Sequence, residues 1–165
     1  AETVGDAPTE TADAYRAACD GGRALGCRNL GLALSRRDPP DTDGARAAFT
    51  KACDAGLPPA CTNLGLIASA AHEDDRAVKL FQAACDPGVP VACRYVGRAY
   101  LTGRGMPRGT APARVWLDRA CAGGDGAGCL VQASLEQEPS KKESLRSRAC
   151  SLGFREACDD VGERE

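Results

Sequence analysis

The sequence predicts an all-α stack of about five helix-pair repeats, on three observations. Ten cysteines fall into five pairs of identical Cys-x7-Cys spacing: Cys19 and Cys27, Cys53 and Cys61, Cys85 and Cys93, Cys121 and Cys129, Cys150 and Cys158. The first cysteines follow one another at 34, 32, 36 and 29 residues, a period typical of solenoid proteins built from repeated supersecondary units. Apolar residues at helical period precede the first cysteine of each pair, and a Leu-Gly or Val-Gly dipeptide follows most of the second ones.

The corner between paired cysteines comes first. Residues eight apart in one helix lie about 12 Å apart, and in a strand about 26 Å, whereas a disulfide requires Cα atoms within roughly 7 Å. Pairing within a period therefore requires the chain to reverse. The intervening residues suit a reversal: Asp20-Gly21-Gly22, Asp54-Ala55-Gly56-Leu57-Pro58-Pro59, Asp86-Pro87-Gly88-Val89-Pro90, Ala122-Gly123-Gly124-Asp125-Gly126 and Ser151-Leu152-Gly153 are rich in the residues that end helices and make turns. Three states of the cysteines compete. Structural disulfides suit an even count with none left over. Zinc sites lack a Cys-x2-Cys, and His72 is the only histidine. Free buried thiols leave five identical spacings unexplained. Each bridge would close a nine-residue ring, for about 2.6 kcal/mol in the loop-entropy expression. Disulfides persist in oxidising compartments, so the expected location is periplasm, cell surface or secreted medium. That reading requires export, and a leader is expected to have preceded Ala1.

The helix entering each corner is read from its first cysteine. Positions −1, −4, −5 and −8 share one face and read Ala18, Tyr15, Ala14, Thr11; then Ala52, Phe49, Ala48, Ala45; then Ala84, Phe81, Leu80, Ala77; then Ala120, Leu117, Trp116, Ala113. Asp43 is the expected cap of the helix running to Cys53. Thr110, before Ala111-Pro112, is the expected N-cap of the helix running to Cys121.

The helix leaving each corner is read from the second cysteine. Positions +3, +4 and +7 are Leu30, Gly31, Leu34; Leu64, Gly65, Ala68; and Val96, Gly97, Tyr100. A glycine inside a helix costs up to about 1 kcal/mol against alanine, so its recurrence at one register predicts close helix packing. Short or turn-rich segments, Ala71-His72-Glu73 and Gly103-Arg104-Gly105-Met106-Pro107, join the helices of a period. Residues 1–9 are expected to form a flexible N-terminal segment, and 10–165 a single solenoid.

Ala92-Cys93-Arg94-Tyr95-Val96-Gly97-Arg98-Ala99-Tyr100-Leu101-Thr102-Gly103-Arg104-Gly105-Met106 resembles the first helix and loop of a Sel1-like repeat. Ala113-Arg114-Val115-Trp116-Leu117-Asp118-Arg119-Ala120-Cys121 resembles its second helix. With the Cys-x7-Cys addition, about residues 10 to 162 resemble the cysteine-rich Sel1-like proteins first described in Helicobacter. Gln132-Ala133 in place of Leu-Gly, and Arg146 at the bulky −4 position, mark the last repeat and a half as irregular or as a cap. The resemblance implies a right-handed α/α superhelical solenoid related to the tetratricopeptide fold. It also implies protein or peptide binding along a concave groove, in exported bacterial proteins. Some members of the group carry a reported penicillin-binding or weak β-lactamase activity, so a hydrolase acting on β-lactams or peptidoglycan is the alternative function.

Little in the chain supports such chemistry. None of the seven serines has lysine three residues on, as penicillin-recognising serine enzymes require. His72 lies in a loop beside Glu73, Asp74 and Asp75, where acidic residues suit a helix start. Gly103-Arg104-Gly105 follows no strand and is no phosphate cradle. No catalytic residue, metal or cofactor is assigned. A net charge of −2 argues against a nucleic-acid binder held by phosphate contacts. No apolar run reaches the roughly 18 residues of a membrane span. The expected partner is a protein or peptide, acidic in character because arginine pairs carboxylates, bound by a monomer. On the concave side, positions +1 and +5 give Arg28 and Leu32, Thr62 and Leu66, Arg94 and Arg98, Leu130 and Ser134, while position +2 gives Asn29, Asn63 and Tyr95.

Overall fold

The computed structural model describes residues 7–158, with side chains from residue 11 onward. The expected flexible segment 1–9 therefore lies largely outside the described residues. Nine α-helices follow one another among those residues: α1 (Ala7–Asp20), α2 (Ala24–Ser35), α3 (Thr42–Asp54), α4 (Pro58–Ala70), α5 (Asp74–Cys85), α6 (Pro90–Thr102), α7 (Thr110–Ala122), α8 (Gly126–Leu135) and α9 (Pro139–Ser151), then a single 3₁₀ turn at Arg155–Ala157. Each helix packs mainly on its neighbours in the chain, the contact pattern of a solenoid. Among the described residues no helix is long and apolar enough to cross a membrane.

All five cysteine pairs are disulfides, with Cα atoms 4.3 Å apart at Cys19–Cys27 and 4.9 Å apart at Cys150–Cys158. Each one staples a helix entering a corner to the segment leaving it. The corners are also closed identically by the backbone. The glycine three residues after the first cysteine takes the left-handed conformation in every case: Gly22, Gly56, Gly88, Gly124 and Gly153 have φ between 79° and 102°. The next amide donates back to the carbonyl just before the cysteine: Arg23 to Ala18 at 3.0 Å, Leu57 to Ala52 at 3.1 Å, Val89 to Ala84 at 3.1 Å, Asp125 to Ala120 at 2.9 Å and Phe154 to Ala149 at 3.0 Å. This is the six-to-one closure of a Schellman motif. The amide that ends one helix thus belongs to the residue that starts the next.

The helical faces pack as their period predicts. Ala45, Ala48, Phe49 and Ala52 are buried, as are Ala77, Phe81 and Ala84, and Ala113, Leu117 and Ala120. Leu80 and Trp116 are half-buried, and the corresponding face of α1 is more open, with Ala14 exposed. The glycines at +4 serve close packing. A Cβ on Gly31 would stand 2.6 Å from the Phe49 ring, one on Gly65 2.6 Å from Phe81, and one on Gly97 2.8 Å from Leu117. The bulky −4 side chains of α3, α5 and α7 therefore seat in notches on α2, α4 and α6.

Two caps differ from the sequence expectation. Asp41, not Asp43, caps α3, its carboxylate accepting from the Gly44 amide at 2.9 Å. Asp43 lies in the first turn, where its charge still suits the helix dipole. Gly109, in extended conformation, precedes α7, and Thr110 is its first helical residue. Both boundaries fall one or two residues earlier than the cap signals placed them, the usual error of such signals.

The irregular last unit keeps the corner geometry while its core thins. α8 has 10 residues where α2, α4 and α6 have 12 or 13, and Ala149 is the one buried residue of α9. Ala133 and Arg146 occupy the registers held elsewhere by the glycine notch and its bulky knob, so the two sequence departures concern the same contact position.

Candidate functional site

Three pockets open at equivalent places in the first three helix pairs, at the end away from each disulfide corner. The pocket of about 530 Å³ between α1 and α2 includes Thr11, Tyr15, Leu32, Ala33 and Arg36. That of about 440 Å³ at α3 and α4 includes Arg46, Leu66, Ile67 and Ala70. The third, about 150 Å³ at α5 and α6, includes Ala77, Phe81, Arg98, Ala99 and Thr102. Counted from the second cysteine, all three draw on positions +5, +6 and +9: Leu32, Ala33, Arg36; Leu66, Ile67, Ala70; Arg98, Ala99, Thr102. The second and third share a further match, since Ser35 and Ser69 at the end of the preceding helix line them at one register. The repeat geometry thus produces a row of related depressions with different side chains.

The structure divides the sequence-predicted residues into two sets. Asn29 and Leu32 line the first pocket, Leu66 the second, Tyr95 and Arg98 the third. Tyr95 stacks on Phe81 with ring centroids 4.8 Å apart. The position +1 residues line none of these pockets. Thr62 is only 4% exposed, its hydroxyl donating to the Pro58 carbonyl. Arg94 donates from Nε to Asp125 Oδ2 at 2.6 Å, and its guanidinium lies 4.8 Å from the Tyr95 ring centroid. Arg28 is half-buried, as is Asn63, with the Arg28 Nε and Asn63 Nδ2 atoms shielded from solvent. These four line none of the three pockets.

Ion pairs frame the row. Asp13 pairs with Arg16 at 3.4 Å, and Asp74 with Arg104 at 2.8 Å. Glu73, which starts α5, accepts from both Arg76 at 2.8 Å and Arg46 at 2.9 Å. Its carboxyl is held below the usual value, chiefly by the Arg76 hydrogen bond and then by Arg46, against a smaller desolvation effect than these combined. At the end of α8 Arg114 donates to the Leu135 carbonyl and lies 3.3 Å from Glu136. The Glu136 carboxyl is lowered mainly by the amides of Glu138 and Gln137. Glu138 is lowered chiefly by Lys141 and then by the Ser140 hydroxyl. Among the described residues, no group of three or more His, Cys, Asp or Glu side chains is arranged to hold a metal ion.

Sequence reasoning missed Arg36, Arg37 and Ile67, which also line pockets. For Ile67 the signal was present, since +6 lies one residue beyond +5 on the flank of that helical face; Arg36 and Arg37, at +9 and +10, lie past the end of α2, where helical register gives no guide.

The fold has close counterparts among solved structures. A Sel1 repeat protein from Oxalobacter formigenes superposes with a TM-score of 0.84 at 20% identity, over 94% of this chain and 69% of that one. A protective antigen of uropathogenic Escherichia coli with an SLR fold gives 0.81 at 21% identity, over 88% of this chain and 34% of that one. The chain thus spans about a third of the length of the E. coli protein. Helicobacter pylori cysteine-rich protein B gives 0.60 at 20% identity, over 76% of this chain and 96% of that one. No protein-family model matches the sequence, and no curated protein is significantly similar to it.

Proposed function

We propose, on the premise that the chain is a Sel1-like repeat solenoid, that it is an exported, monomeric scaffold binding a protein or peptide partner along its groove. The row of three pockets at equivalent registers carries this reading. A repeated surface of that kind offers several spaced anchor points to one chain. Asn29, Leu32, Leu66, Tyr95 and Arg98 form the contact surface. Five disulfides suit a periplasmic, cell-surface or secreted location, where a rigid scaffold keeps its shape without reducing enzymes. Covalent stapling also lowers the ordering cost of binding, because the corners are fixed beforehand.

The test is hydrogen-exchange mass spectrometry of the oxidised protein with and without a partner recovered by cross-linking. Protection at 29–37, 66–71 and 95–104 is the expected outcome. Protection confined to the helix faces away from these segments would overturn the groove assignment. Light scattering of the free protein should give the mass of a single chain.

A further inference from the structure

The three pockets share a register but not a chemistry, and the differences specify a ligand. We infer that the groove selects an acidic peptide segment whose two apolar side chains fill the first and second pockets and whose carboxylate meets Arg98 at the third. This rests on the groove reading above and adds the order of its anchors.

The first pocket has an apolar floor of Tyr15, Leu32 and Leu34, and the second one of Leu66, Ile67 and Ala70. At about 530 and 440 Å³ both have room for large side chains. The third, at about 150 Å³, is narrowed by the stacked Phe81 and Tyr95 rings. There the +5 residue changes from leucine to Arg98. Its side chain is exposed and has no carboxylate partner among the described residues.

Charge complementarity fixes the sign of the ligand. Among the described residues the carboxylates lining the three pockets are Asp13 and Asp74, and each already holds an arginine, Arg16 and Arg104. Arg46 in the second pocket is occupied by Glu73. Among the described residues that leaves Arg36, Arg37 and Arg98 without a carboxylate along the row, in a chain whose net charge is −2. A guanidinium at the groove rim gains most from a carboxylate, which it can bind bidentately.

The length of α8 fixes the far end. That helix stops at Leu135, which is +6 from Cys129, whereas α2 runs to +8 and α4 and α6 run to +9, so the fourth helix pair falls short of the reach of the first three. Arg114 crosses the same place to reach the Leu135 carbonyl and Glu136. The peptide footprint therefore runs from α1 to α6.

A phage-displayed library of random 16-residue peptides, panned on the oxidised protein, tests the assignment. Enriched peptides should carry two apolar residues and then Asp or Glu at constant spacing. A synthetic peptide of that sequence should lose about tenfold or more in affinity with Arg98→Glu, and likewise with Leu66→Glu, both exposed positions whose replacement leaves the core intact. Panning on Arg98→Glu should replace the acidic residue by Lys or Arg. Peptides that lose affinity with Leu66→Glu but ignore Arg98→Glu would overturn the charge assignment and leave the groove reading standing. Affinity unmoved by either variant, or no enrichment over the bare support, would sink both.

Discussion

Arg94 and Asp125 lie in successive units and meet at 2.6 Å, with side chains only 15% and 11% exposed. Arg94 is at +1 of the α6 helix, and Asp125 is the residue that closes the next corner and starts α8. The corresponding positions elsewhere hold Arg28 with Leu57, Thr62 with Val89, and Leu130 with Phe154. One ion pair thus replaces an apolar or mixed pair at a unit boundary. Removing one partner strands the other where water reaches it poorly. Arg94→Ala or Asp125→Ala should each cost about 2–3 kcal/mol. Arg94→Thr combined with Asp125→Val, the pair used one boundary earlier, should recover most of that loss. Guanidinium unfolding midpoints check both statements, and a loss in the double variant equal to the sum of the two single losses would show that the pair does not act as a unit.

The glycine notch makes a second prediction. A Cβ on Gly31 would fall 2.6 Å from the Phe49 ring. Overpacking of this kind costs about 1–3 kcal/mol, partly offset by the better helix propensity of alanine, about 1 kcal/mol. Gly31→Ala should be net destabilising. The double variant with Phe49→Leu should be less unstable than the two single losses added together. Simple additivity in that cycle would mean that the ring can move aside without cost.

The corners predict a modest cost for losing a staple. Intact mass under non-reducing conditions should fall about 10 Da below the reduced mass, one hydrogen per cysteine. Replacing Cys85 and Cys93 together by alanine should cost about 2.6 kcal/mol or less, because the Val89 amide still closes that corner on Ala84. Loss of all helical circular dichroism in this variant would show that the hydrogen-bonded closure cannot hold the reversal alone.

Acidification should weaken the fold through Glu73, Glu136 and Glu138. All three carboxyls are lowered from an ordinary value of 4.5 in the folded chain. Each therefore contributes stability that is present above that value and lost as the pH falls through its lowered folded value. Denaturant midpoints should hold steady from neutrality toward pH 5 and drop below about 4.5. Glu73→Gln should flatten part of the drop, while an unchanged profile would remove Glu73 as a contributor.

Much of this was legible in the primary structure because the staples set an origin from which registers can be counted. Counting from the cysteines found the buried alanines, the knobs at Phe49, Phe81 and Leu117 and the glycines opposite them. It found angles around a helix, but depth along the solenoid axis was harder to read. Arg94 and Arg98 lie four residues apart on one side of α6, yet Arg94 sits level with the neighbouring corner and pairs with Asp125. Arg98 sits a turn beyond it and borders a pocket. The partner that decides the difference, Asp125, is 31 residues away and holds a position where other units carry Leu57, Val89 or Phe154. The caps of α3 and α7 were misplaced for a related reason. Asp41 and Asp43 carry the same side chain, and only the path of the preceding loop selects between them.

Every disulfide joins residues eight apart, so none ties one unit to a distant one. Between Cys27 and Cys53, or Cys93 and Cys121, the backbone alone carries the covalent path. Under tension applied at its two ends, such a chain would pay out in the stretches between corners, with Phe49, Phe81 or Leu117 sliding from its notch. Each corner would stay shut and keep its ring out of the extended length. The molecule is built to part into stapled segments that can find their register again, as a chain of hinged links does after a pull.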